Sequence, residues 1–319
     1  MSALMRLTSF AATVCLLAAL ALGAGPANDR FVTVARGVQL FVHEEGRGTP
    51  VIAIHGGPGL DLNYLAPDLQ PLAEHHRVIY YDQRGSGRST LTSGVTANVL
   101  VADLEALRER LALTRVALLG HSWGGGLAAL YAVAHPGRVS RLVLVDPMPL
   151  RVEGLADFAQ NLRSRLTDDE AVRLREASED RIRASTDDAH TDACRAYWSI
   201  LFKAYYSDPA AVTRSRGQLC LGSGAALANG LKVNDSVLDS LGNFDWRPKL
   251  AGLRVPTLVV HGDDDPIPLD AAREWTAAIR GSRLVVVPKS GHIPFIEQPE
   301  LFFRAVGEFL AGRWPPEAH

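Results

Sequence analysis

The sequence lacks most of the features that advertise a binding protein. Lysine is scarce, and the arginines are scattered with no basic run. With a formal net charge of -2 the chain offers no electrostatic footprint for a polyanion, so no nucleic-acid partner is expected. Repeats, low-complexity tracts and blocks of like charge are absent, which excludes solenoids and charged interaction tails. Cysteine is rare, with three in 319 residues. What remains is a chain of ordinary charge content, 21%, in which 47% of residues are hydrophobic. That suffices to bury one large core or two modest ones.

The clearest compositional break is an apolar run at the N-terminus. Arg6 precedes the run from Leu7 to Leu22, and Gly23-Ala24-Gly25-Pro26-Ala27 follows it. A positive start, an apolar stretch of about 15 residues and a small-residue end predict a secretory signal peptide over residues 1–27. Cleavage is expected after Gly23 or after Ala27. The run is short for a bilayer span, so no membrane anchor is expected after cleavage. An exported protein, periplasmic or secreted, is the expectation. Cleavage removes Cys15 and leaves Cys194 and Cys220. In an oxidising compartment such a pair reads as a disulfide, with two separate buried thiols as the alternative.

Along the rest of the chain, short apolar runs alternate with helical patterns, which predicts βαβ units and a mostly parallel sheet. Residues 31–34 and 39–43 read as an opening hairpin. Residues 51–54, 78–81, 116–119, 142–145, 258–260 and 284–287 read as buried strands, β-branched and apolar on both faces. Thr96 is placed to cap a helix running to Leu111. A second helix is expected over 123–134 and a third over 301–310. The alternation stops after Asp146, and strand character returns only at Val255. The chain therefore divides into a first core segment (28–149), a helical insertion (150–245) and a second core segment (246–319). An insertion between the sixth and seventh strands lies over the carboxyl ends of the strands, where open α/β sheets bind ligands.

Gly120-His121-Ser122-Trp123-Gly124 is a G-x-S-x-G motif between a buried strand and an Ala-rich helix. That setting is a nucleophile elbow and predicts an eight-stranded, mostly parallel α/β-hydrolase fold with a helical lid. A serine hydroxyl needs a base, and the base needs an orienting carboxylate. On this fold the chain order is serine, acid, histidine. Asp265 follows the seventh strand and His292 the eighth, both on the sheet edge that carries Ser122. Asp263, Asp264 and Asp146 are the other candidates for the acid. His55, His121 and His261, each beside glycine at a turn, read as structural. An oxyanion needs two preorganised N–H donors. Trp123, after the nucleophile, supplies one. Gly57, in His55-Gly56-Gly57-Pro58-Gly59, supplies the other, with Gly56 as runner-up. Asp82-Gln83-Arg84-Gly85-Ser86-Gly87-Arg88-Ser89 has no lysine and is no phosphate loop. Asp82 and Arg84 are expected to pin a tight turn near the site.

The glycine-rich loop at 55–59, the 82–89 turn and the 120–125 elbow together make the chain resemble the proline iminopeptidases (prolyl aminopeptidases). The resemblance covers residues 31–146 and 255–310. It implies a serine peptidase that removes an N-terminal residue, typically proline, from short peptides without a cofactor. In that family acidic lid residues hold the substrate's α-amino group. Here no glutamate follows Trp198 in the lid, and Pro266 stands where some relatives carry a glutamate. Glu153, Glu170, Glu176 and Glu179 are available but read as solvated helix surface. Trp198, Phe202, Tyr205 and Tyr206 are candidates for an apolar pocket roof. An aminopeptidase is thus the first expectation, and an esterase or amidase on small acyl substrates stays open beside it. The expected partner is a small molecule or short peptide, and the expected state a monomer or small homo-oligomer.

Overall fold

The computed structural model describes residues 28–319, and the expected signal peptide lies outside the described residues. Eight strands form one sheet: β1 (Asn28–Ala35), β2 (Val38–Glu45), β3 (Thr49–Ile54), β4 (His76–Tyr81), β5 (Val116–His121), β6 (Val139–Val145), β7 (Thr257–Gly262) and β8 (Arg283–Val287). Their order is β1-β2-β4-β3-β5-β6-β7-β8. The β1–β2 and β2–β4 pairs are antiparallel, and every later pair is parallel.

Period-two alternation sends neighbouring residues to opposite faces. Ile52, Ile54 and Leu118 join Leu104, Leu107, Leu127, Tyr131 and Trp275 on one face. Val51, Ala53 and Leu119 join Leu65, Leu69, Phe302 and Phe309 on the other. Both faces are thus covered, which is why β5 and β7 are buried along their whole length. Three helices lie where the pattern placed them: Ala97–Arg110, capped by Thr96, then Trp123–Ala134 and Pro299–Leu310.

Between β6 and β7 the chain is helical: Glu153–Ser164, Asp168–Arg183, Asp187–Ala204 and Gly224–Leu241. Thr167, Thr186 and Ser223 cap the last three through their hydroxyls, and Glu170 completes a capping box with Thr167. Leu162, Leu201 and Ala204, with Phe158 and Trp198 against them, form a small core for this lid. Cys194 and Cys220 are disulfide-bonded and tie the third lid helix to the segment before the fourth. Among the described residues no helix is long and apolar enough to cross a membrane.

Candidate active site

Ser122 is the single residue between β5 and the Trp123–Ala134 helix. Its φ of +56° lies in the left-handed region, which a non-glycine residue occupies at a cost. Backbone bonds hold it there. Its N–H donates to the Val145 carbonyl at 2.9 Å, and its carbonyl accepts the Gly125 N–H at 2.9 Å. A Cβ on Gly120 would sit 2.2 Å from the Gly124 carbonyl oxygen, and one on Gly124 2.2 Å from that of Ile54. The motif glycines are therefore the points where β5, the helix and β3 meet backbone to backbone.

His292, after β8, and Asp265, after β7, come together. His292 Nδ1 lies 2.9 Å from Asp265 Oδ2 and 3.1 Å from Oδ1. Asp265 Oδ1 also accepts the Ile267 N–H at 2.7 Å. The neighbouring acids turn elsewhere. Asp263 accepts the Ser290 N–H at 3.4 Å, and Asp264 pairs with Arg165 of the lid at 3.0 Å. Burial, and secondarily Arg165, pushes His292 down to about 3, so its imidazole is neutral at neutral pH.

Asp146 is buried beside this pair. Its Oδ1 accepts the Gly262 N–H at 2.9 Å and lies 3.3 Å from His261 Nδ1. His261 Nε2 faces the Ile267 carbonyl at 2.9 Å and must carry the hydrogen there. His261 Nδ1 is then an unpartnered acceptor that faces the Asp146 carboxyl. Burial, with the Asp265 charge adjacent, raises Asp146 well above the usual carboxylate range. Burial raises Asp265 too. The donors around Asp265 keep the charge on it, and the proton of the pair stays on Asp146. Potential metal-ligand atoms of Asp146, Asp265 and His292 lie within 4.8 Å of one another, but this hydrogen bonding accounts for their approach.

The glycine-rich loop after β3 faces Ser122. Gly57 has φ +46°. Among the described residues neither its N–H nor that of Trp123 has an acceptor. Gly56 differs, because its N–H is donated to the Tyr64 hydroxyl. That hydroxyl donates to His121 Nδ1 at 2.8 Å, and His121 Nε2–H donates to the His292 carbonyl at 2.8 Å. One line of hydrogen bonds thus joins the glycine loop, the elbow and the histidine loop. Gln83 is a second brace: Trp123 Nε1–H donates to its Oε1 at 3.0 Å, and its amide donates to the His55 carbonyl at 2.9 Å. The rings of His55, His121 and His261 are each engaged in hydrogen bonds to the backbone. Tyr64 and Gln83 were missed, because nothing local marks a tyrosine or glutamine as a brace between loops.

Asp82 pins its turn by accepting the Leu62 and Arg88 N–H groups at 2.9 and 2.8 Å. Arg84 departs from the expectation. It reaches out of the turn to pair with Asp103 on the Ala97–Arg110 helix.

Ser122, His292, Gly57 and Trp123 all border one cavity of about 390 Å³ between the sheet edge and the lid. The sequence model of the alpha/beta hydrolase fold matches residues 49–299. The chain belongs to the α/β-hydrolase fold family. It is 30% identical to a proline iminopeptidase of Heyndrickxia coagulans, over 89% of this chain and 98% of that protein. It is 31% identical to a 2-hydroxy-6-oxo-2,4-heptadienoate hydrolase of Pseudomonas putida, over 88% and 95%. The crystal structure of a hydrolase from Pseudomonas aeruginosa superposes with a TM-score of 0.65 at 25% identity, covering 89% of this chain and 99% of that one. The protein is a hydrolase similar to the proline iminopeptidases.

The cavity of this α/β-hydrolase is mostly apolar. Phe158, Trp198, Phe202 and Tyr205 line it. Tyr206 does not, because its ring is buried in the core beneath the sheet edge. None of the four lid glutamates reaches the cavity. Glu153 pairs with Arg151, Glu170 caps its own helix, Glu176 is exposed and Glu179 pairs with Arg183. Among the described residues two charged side chains other than histidine do border it, Asp61 and Arg181. Burial and the nearby Asp82 raise Asp61 to about 6. Sequence reasoning passed over both, since Arg181 sits in a polar helical stretch and Asp61 reads as a turn residue just beyond the glycine-rich loop.

Proposed function

We propose that this α/β-hydrolase is a serine aminopeptidase of short peptides. Ser122 attacks the first carbonyl of the substrate, and His292 takes the hydroxyl proton at Nε2. Asp265 holds the opposite ring nitrogen and stabilises the imidazolium. The N–H groups of Gly57 and Trp123 receive the oxyanion. His292 then returns the proton to the leaving amine, and water releases the acyl group by the same steps in reverse.

The observation that carries the aminopeptidase reading is the Asp61 carboxylate in the cavity wall, four residues beyond Gly57. A carboxylate held partly out of water and raised to about 6 gains from an ammonium placed against it. It stands in for the lid glutamates that do not reach the cavity. Proline iminopeptidase relatives support the same reading. The apolar lining favours a second reading, an esterase or amidase on small acyl substrates, and the heptadienoate hydrolase relative is consistent with it. Hydrolysis of proline and alanine arylamides, free and N-acetylated, beside short aryl esters separates the two. Cleavage confined to free-amine arylamides supports the aminopeptidase. Ester cleavage indifferent to a free amine overturns it.

The disulfide between Cys194 and Cys220 fits an exported protein, which we also propose. N-terminal sequencing of the protein recovered outside the cytoplasm should begin after Gly23 or Ala27. An intact Met1 would overturn export by cleavage.

A further inference from the structure

Among the described residues Arg181 is the one lysine or arginine in the cavity wall, and it has no acid to answer it. It lies near the end of the second lid helix, Asp168–Arg183, with its guanidinium 4.3 Å from the centre of the Tyr197 ring. Three neighbouring lid arginines are matched, and Arg173, Arg175 and Arg195 are exposed to solvent. Arg163 pairs with Asp168, Arg165 with Asp264 and Arg183 with Glu179. Among the described residues no carboxylate lies within ion-pair distance of Arg181, although it is partly buried and borders an apolar cavity. A guanidinium in such surroundings is stabilised by an incoming anion, and its planar fork matches a carboxylate.

Its position indicates which part of a substrate meets it. Aromatic rings lead away from His292 along the lid wall. Tyr205 lies 5.0 Å from His292, Trp198 6.4 Å from Tyr205 and Tyr197 5.3 Å from Trp198. Arg181 stands on the last of them. His292 hands its proton to the leaving group, so this wall runs along the leaving side of the scissile bond. An extended peptide advances about 3.3–3.6 Å per residue, so the row from His292 to Arg181 spans at most about six residues beyond that bond.

We propose that Arg181 is a subsite for a carboxylate on the leaving part of the substrate, which makes short peptides with a free C-terminus the preferred class. The peptide form of this inference rests on the aminopeptidase reading. The carboxylate subsite does not.

Two substrate pairs test the two separately, each in the native protein and in Arg181→Gln. The first pair is prolyl-pentaalanine and its C-terminal amide. The second is 4-acetoxybenzoyl-triglycine and its C-terminal amide, whose leaving phenols differ in the same way. In the native protein kcat/KM should favour the acid of a cleaved pair by about tenfold, the scale of one charge-assisted hydrogen bond. In Arg181→Gln the ratio should fall to near one, and Arg181→Lys should recover part of it. A thermal melt shows that each variant is folded. Acid preference in the ester pair with no peptide cleavage keeps the subsite and overturns the aminopeptidase. A native ratio near one in whichever pair is cleaved overturns the subsite, as does a ratio that Arg181→Gln leaves unchanged. Failure to cleave either pair overturns both.

Discussion

Asp265 turns both carboxylate oxygens toward His292 Nδ1, while Asp146, buried beside it, makes no hydrogen bond to that ring. The two acids therefore play opposite parts. Asp265 holds a charge against the histidine, and Asp146 holds a proton.

Removal of the charge should be costly. Ser122→Ala is expected to abolish turnover and leave the melt unchanged. Asp265→Asn should lower kcat by about 10³–10⁴, as expected when the base loses its orienting carboxylate. Asp263→Asn and Asp264→Asn should stay within about tenfold of the native rate, because neither side chain touches His292. Single-substrate kinetics on the four variants decide the ranking, and a reversed order would move the acid.

Asp146 should behave as a neutral donor. Asn at this position keeps a hydrogen to give, so Asp146→Asn should retain most activity. Asp146→Ala leaves the buried Gly262 N–H without a partner and should cost about 1–3 kcal/mol of stability. Denaturant unfolding measures the difference. Equal loss in both variants would show that Asp146 carries a charge.

Asp61 sets a pH dependence with a definite sign. Its pKa in the folded protein is raised to about 6 from the ordinary 3.8. Stability attached to this group is therefore fully present below about pH 4 and is lost as pH rises through 6. Ammonium binding runs the other way, because it needs the ionised form. For a free-amine substrate kcat/KM should fall as pH drops through 6, and Asp61→Asn should lose that limb and raise KM. A native profile flat between pH 5 and 7 would remove Asp61 from the amine site.

Tyr64→Phe tests the line of bonds that joins the three loops. Loss of the hydroxyl orphans the buried Gly56 N–H and His121 Nδ1. We expect a loss of about 1–3 kcal/mol per orphaned group and a kcat about tenfold lower, with KM little changed. Thermal melts and steady-state kinetics check both. An unchanged kcat in a destabilised variant would make Tyr64 a packing residue only.

The disulfide should matter to the lid more than to the sheet. Cys194 and Cys220 are 26 residues apart in sequence, and closing a loop of that size stabilises by about 3 kcal/mol in the chain-entropy account. Cys194→Ser should lower the melting temperature and raise proteolysis between β6 and β7 first. Cleavage appearing first in the sheet would contradict this.

Most of the sheet was legible because a covered parallel strand announces itself. Residues 116–119 and 258–260 are apolar on both faces, and both lie inside fully buried strands. The elbow was legible because a strained turn needs glycine at fixed offsets, and chain order then selected Asp265 and His292. The choice of Gly57 over Gly56 gains a physical reason only from Tyr64, whose hydroxyl takes the Gly56 N–H. Arg181 and Asp61 were invisible for another reason. A charged residue facing a cavity has the same letters around it as one facing water, and only the packing of the lid tells them apart. Tyr206 shows the converse, since its sequence neighbours Phe202 and Tyr205 line the cavity and it does not.

The oxyanion loop and the fourth lid helix, Gly224–Leu241, touch through Gly59 and Gly230, where a Cβ on Gly59 would lie 2.0 Å from the Gly230 carbonyl oxygen. No side chain separates them. Asn229 adds a bond from its amide to the Gly85 carbonyl at 2.8 Å. The lid is therefore fastened unevenly. Its last helix is welded to the loop that receives the developing charge, and any displacement of that helix would spoil the chemistry it covers. The first lid helix, by contrast, is tied to the loop that carries Asp265 through side chains alone, those of Asn161 and Arg165, which donate to the Pro266 and Asp264 carbonyls.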